Sequence, residues 1–158
     1  WTRHGNPIMS ALSALTAASA VGGPQLGGIV VATFAAQMIG MIWFGTAFSK
    51  PYSEAMVKFR GKKMDKILST GYPFNTMIAV SAGAAMLSAV AMLIALRVLG
   101  AKNNLDAASV ALALWTGMKV VDAEAPVWQG APLHLILITY SKSLATTMAQ
   151  ALVLINFV

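Results

Sequence analysis

Residues 42–52 read IWFGTAFSKPY, and they decide the architecture. Behind them lie residues 28–47, 20 positions without a charge. At about 1.5 Å of rise per residue, a helix of that length crosses a hydrocarbon core of about 30 Å. Trp43, Phe44, Phe48 and Tyr52 fall where an aromatic belt meets lipid headgroups. Lys50, Lys58, Arg60, Lys62, Lys63 and Lys66 follow at once. Lys and Arg clustered beside a span mark its inner side. The stretch therefore predicts an all-α integral membrane protein.

Composition points the same way. The chain is 58% hydrophobic and 10% charged, with a mean hydropathy of +0.71, whereas a soluble domain is about 25% charged. The net charge of +6 resembles a nucleic-acid signature until it is mapped: six of the 11 basic residues lie within residues 50–66. That cluster reads as a topology signal and an anionic-lipid contact, with no nucleic-acid partner implied. With no cysteine in the chain, disulfides, thiolate metal sites and thiol catalysis are excluded.

Four spans are expected, at about 27–48, 75–99, 107–125 and 133–158, with Pro51 ending the first helical pattern. Gly100 with Asn103-Asn104 marks a stop and turn after the second, and Pro126 with Gly130-Ala131-Pro132 separates the third from the fourth. Residues 1–26 form an N-terminal extension, in which Ile8, Met9, Leu12 and Leu15 recur at helical spacing and predict a short interfacial helix. Residues 1–53 contain no Asp or Glu, and Arg3, His4 and the Ser/Ala/Thr-rich run that follows resemble the mature edge of an organellar import sequence. Four spans place the 50–66 segment and the 122–132 loop on the inner face, with both termini on the other.

Small residues forecast how the helices meet. Gly28, Ala32, Ala36 and Gly40 recur at every fourth position as one smooth helix-packing ridge, and in lipid close backbone approach is a main source of helix association. Lys142 is the exceptional polar residue, nine positions inside the fourth segment, roughly 13 Å along a helix axis. An unpaired ammonium at that depth costs about 2.5 kcal/mol or more. Thr139, Ser143, Thr146 and Gln150 share its neighbourhood at helical spacing. Lys119, Asp122 and Glu124 end the third span on the same side. The expected arrangement is an intramembrane ion pair between Lys142 and Asp122 or Glu124, and a proton path or polar ligand pocket is the alternative. His4 and His134 are too far apart to suggest a metal site. The residues form no catalytic set and imply no cofactor beyond structural lipids.

At residues 40–52 the chain resembles a family of small four-span membrane proteins, domain of unknown function 1761. Its first helix typically ends Gly-x-x-Trp-Tyr-x-Pro-x-Phe-Gly-Lys-x-Trp. Gly40, Trp43, Phe44, Phe48 and Lys50 occupy matching positions, with Tyr52 for the last aromatic, Thr46 for the proline and Ser49 for a glycine. Residues 128–144, WQGAPLHLILITYSKSL, are similar to the family's loop into its last helix, with Thr139 and Ser143 where the family tends to carry an Asp and a His. The resemblance covers about residues 27–154 and implies a four-transmembrane-helix bundle without an assigned activity.

The expected role is a non-catalytic accessory subunit of a larger membrane complex, in an organellar energy-converting assembly of the mitochondrial inner membrane. Another energy-converting membrane or a bacterial plasma membrane is the other setting. The expected partners are membrane lipids and other subunits, and a small transporter or proton-conducting protein built on Lys142 is the rival. The orientation is directly testable, because the chain has no native thiol. A Ser53→Cys variant should react with an impermeant maleimide from the inner side. Labelling confined to the outer side reverses the topology.

Overall fold

In a computed structural model, residues 21–61, 73–122 and 124–158 are described, without the side chains of Phe74, Glu124 and Ala125. The expected interfacial helix near Ile8–Leu15 and the residues Lys62, Lys63 and Lys66 lie outside the described residues. The fold is all-α. Helix α1 spans Gly23–Ile42 and starts behind an extended Gly22, with proline in its first turn. It runs on into a π-helical turn, Trp43–Ala47, and then changes direction at Phe48, whose φ of −122° and ψ of 16° leave the helical region.

Helix α2, Ser49–Arg60, follows and stops at Gly61, whose φ of 64° is a left-handed conformation that glycine adopts without penalty. Pro51 therefore does not end the helical pattern as the sequence suggests. It stands in the first turn of α2, where its missing N–H has no intrahelical acceptor to lose. The break lies at Phe48.

Helix α3, Phe74–Val98, begins after Pro73, and α4 covers Asn104–Asp122. Asn103 starts α4 through its side chain: Oδ1 accepts from the N–H groups of Leu105 at 2.9 Å and Asp106 at 3.0 Å. The Asp106 carboxylate in turn accepts from the Lys102 N–H at 2.9 Å, so a helix N-terminus and its preceding loop are fastened together. A short helix α5, Glu124–Trp128, leads through Gly130 into α6, Leu133–Leu154, which ends in a 3₁₀ turn, Ile155–Phe157.

The long helices α1, α3, α4 and α6 form the body, and α6 is their common neighbour. It packs against α1, α4 and α3, and its beginning also meets α2. The dense core sits toward one end of the bundle, where Ile29 and Ala32 of α1, Ala89, Met92, Leu93 and Leu96 of α3, Ala107 and Ala111 of α4, and Ala151 and Leu154 of α6 are buried together. At the other end α3 is exposed at every position from Asn75 to Ser81. Two stretches are long and apolar enough to cross a membrane, Gly23–Ala47 and Asn75–Val98. Helices α4 and α6 have the length, 19 and 22 residues, but are more polar.

Along the α1 ridge, Gly28, Ala32 and Ala36 are buried and Gly40 is half-buried. The Phe157 ring lies so close over Gly28 that a Cβ there would come within 2.7 Å of two ring carbons. Farther along, a Cβ on Gly40 would stand 3.5 Å from the Lys142 Cε. The two antiparallel helices thus meet across backbone and small side chains. Enlarging Ala36 to leucine should cost about 1–3 kcal/mol from overpacking, while Met38→Leu, on an exposed position, should be nearly neutral. Equilibrium unfolding of the two variants in mild detergent checks the difference, and equal stabilities would refute the tight seam.

Candidate functional site

Between α1, α3 and α6 lies a polar cavity of about 170 Å³. Helix α6 supplies Lys142, Thr146 and Gln150, spaced four apart and so on one face. Helix α3 supplies Ser81, Ala84, Ala85 and Ser88 at the same helical spacing, and α1 contributes Ala36 and Gln37. Two amides tie the walls together. The fully buried Gln150 accepts from the Ser88 hydroxyl at 2.9 Å and donates to the Ala85 carbonyl at 2.9 Å. At the more open side, the Gln37 amide faces Ser81 Oγ, with Nε2 at 3.2 Å and Oε1 at 3.3 Å.

Two groups on the α6 stripe are left over. Thr146 Oγ1 is buried and has no hydrogen-bond partner. Lys142 is half-buried, and no described residue pairs with its ammonium. Its stem runs past Gly40, where a Cβ would be 3.9 Å from Nζ, an ordinary packing distance.

The expected pairing of Lys142 with Asp122 is replaced by a local one. Asp122 bonds Lys119 at 2.9 Å, three residues back on the same helix, and the Lys119 ammonium also stands 5.3 Å from the centre of the Tyr140 ring. Geometry explains the exchange. Tyr140 faces α4, and Lys142, two residues on, lies about 200° farther round α6, toward α1 and α3. Lys119, Asp122 and Lys142 therefore do not converge, and Glu124 has no described side chain. Of the polar neighbours expected around Lys142, Thr146 and Gln150 share its cavity. Thr139 faces a separate cavity of about 170 Å³, lined by residues that include Phe59, Leu135 and Tyr140.

The aromatic segment forms two ring pairs at the π-helical turn, Trp43 with Phe48 at 4.9 Å and Phe44 with Tyr52 at 4.5 Å between centroids. Trp43 Nε1 donates to the Ile138 carbonyl at 3.1 Å, one turn before Lys142 on α6. Burial raises the Tyr52 phenol above its ordinary pKa, opposed by the Arg60 charge, so the ring stays neutral at physiological pH. Lys50, Lys58 and Arg60 are all exposed, in position for an anionic surface. Among the described residues, no three His, Cys, Asp or Glu side chains gather as a metal site.

Gln37 and Ser88 were not singled out in the sequence. Gln37 carried a signal, being an amide in the middle of a charge-free apolar stretch, where polar side chains have to find partners. Ser88 carried none, because its value depends on which residue of α6 lies opposite.

The family described as Protein of unknown function (DUF1761) matches residues 28–155, and the chain belongs to it. No curated protein and no solved structure shows significant similarity to the chain.

The Ser88–Gln150 contact should be energetically coupled. In a double-mutant cycle of Ser88→Ala and Gln150→Leu, a coupling of about 0.6 kcal/mol, and at most about 1.7, is expected for an interhelical hydrogen bond in a membrane. Unfolding in detergent measures it, and strictly additive losses would show that the contact contributes nothing.

Proposed function

We propose that this member of the family is an integral membrane protein with four spans, α1, α3, α4 and α6, that works as a non-catalytic subunit of a larger membrane assembly. Its surface supports the membrane setting: large apolar side chains such as Phe34 and Leu87, 65% and 69% exposed, point outward, while the buried amide Gln150 points inward. Helix α6, which carries the Lys142–Thr146–Gln150 stripe, is the one the others surround. In this arrangement the exposed Lys50, Lys58 and Arg60 meet anionic headgroups on the inner side. The mitochondrial inner membrane and an energy-converting host are our proposal for the setting, on the acid-poor N-terminal sequence alone.

The observation that carries the subunit role is on α4. Its Ala107 and Ala111 are buried against the bundle, and Ser109, Ala113, Thr116 and Gly117 are exposed on the outer side. The ridge on α1 is already occupied within the chain, whereas this second small-residue face stands open. In lipid, such a face suits close approach by a foreign helix.

Gly117 makes a clean test, because a Cβ added there meets nothing within 4 Å. Gly117→Leu should leave the isolated chain folded, with a gain in helix propensity, yet lose comigration with a large complex on native electrophoresis after mild extraction. Undiminished comigration would sink the proposal that α4 docks. A second reading, a small transporter or proton-conducting protein, draws on the Lys142 cavity. Solute or proton flux through the isolated protein in liposomes distinguishes it from the subunit role.

A further inference from the structure

We infer that the cavity between α1, α3 and α6 is a binding site for a small monocarboxylate, held by Lys142 and Thr146. The inference goes beyond the subunit role and stands whether or not the chain works in a complex. It starts from the balance of donors and acceptors. Ser88, Gln150, Gln37 and Ser81 satisfy one another or the backbone, so the polar capacity left over is the Lys142 ammonium and the buried, partnerless Thr146 hydroxyl. No described carboxylate lines the cavity, and Asp122 is engaged by Lys119. A site with one fixed positive charge and a spare hydroxyl donor selects an anion of charge −1. An ammonium surrounded by apolar helices is stabilised by acquiring such a counterion.

Shape narrows the class. Lys142 and Thr146 are one helical turn apart on one face of α6 and line the same cavity, so an anion with two oxygens can offer one to each. A halide has a single atom to offer. The volume of about 170 Å³ equals roughly five to six water molecules at about 30 Å³ each, room for an acid of a few carbons and too little for a drug-sized ligand. The Ala36, Ala84 and Ala85 methyls provide an apolar wall for a short alkyl tail.

The test uses the full chain in nanodiscs of phosphatidylcholine, with radiolabelled propionate as the probe in equilibrium dialysis. Saturable binding of about one propionate per chain is expected, competed by acetate and butyrate and little affected by equimolar chloride. Lys142→Met should abolish measurable binding. Thr146→Val, a near-isosteric change that removes an unpaired hydroxyl and leaves the fold intact, should weaken it about tenfold, the loss of one hydrogen bond to a charged group. Replacing part of the phosphatidylcholine by phosphatidylglycerol should leave the affinity unchanged. The inference is overturned if the wild type shows no saturable binding, or if Thr146→Val binds as the wild type does. Displacement by chloride as effective as that by acetate would make it a halide site. Loss of binding in phosphatidylglycerol would give the site to a lipid headgroup.

Discussion

The polar stripe Lys142–Thr146–Gln150 on α6 sets a condition that the other long helices meet. A lysine and a glutamine on one face of an apolar helix are costly wherever hydrocarbon reaches them. The arrangement surrounds that face. Helix α1 lies against it through glycine and alanine, α3 supplies Ser88 and the Ala85 carbonyl to the glutamine, and α4 occupies another side of α6. Gln150 is fully buried and satisfied. Lys142 is half-buried with no described residue pairing its charge, which turns an ordinary packing requirement into a site with chemical character.

Packing density follows from the same division. Toward the Gly28 and Leu154 end, side chains from α1, α3, α4 and α6 close into one cluster, and Phe157 wedges onto Gly28. Gln25 adds a bond from its amide to the Phe157 carbonyl at 3.2 Å. Away from that end the first turns of α3 separate from the bundle, and the polar cavity sits where the dense cluster gives way. Contacts of this kind gain little from apolar side chains meeting each other in lipid, so they depend on close backbone approach and on a few interhelical hydrogen bonds. The α1 ridge and the Ser88–Gln150 contact are one example of each.

Much of the helical framework was legible because it rests on one-dimensional signals. The charge-free stretch before Trp43, the glycines and prolines between helices, and the four-residue spacing of Gly28 to Gly40 all depend on neighbours in sequence. Pro51 was misread because proline is a helix breaker everywhere except the first turn, and only the backbone at Phe48 reveals which position it holds. Asp122 fails as the partner of Lys142 for a different reason. Depth along an axis is readable from residue count, but rotation about it relative to a neighbour is not, and Asp122 had a lysine three residues away on its own helix. Of the four crossings that the sequence suggests, two are long and apolar enough to span a membrane, and α4 and α6 are more polar.

The contact between Gln25 and Phe157 spans 132 positions of sequence, and that separation has a consequence in time. At roughly 5–20 residues per second, the ribosome needs roughly 7–26 s after making the start of α1 to deliver the residues that cover its ridge. Throughout that interval Gly28 lacks the Phe157 ring that covers it in the native fold. The native seam between α1 and α6 is necessarily a late event in the biogenesis of this protein.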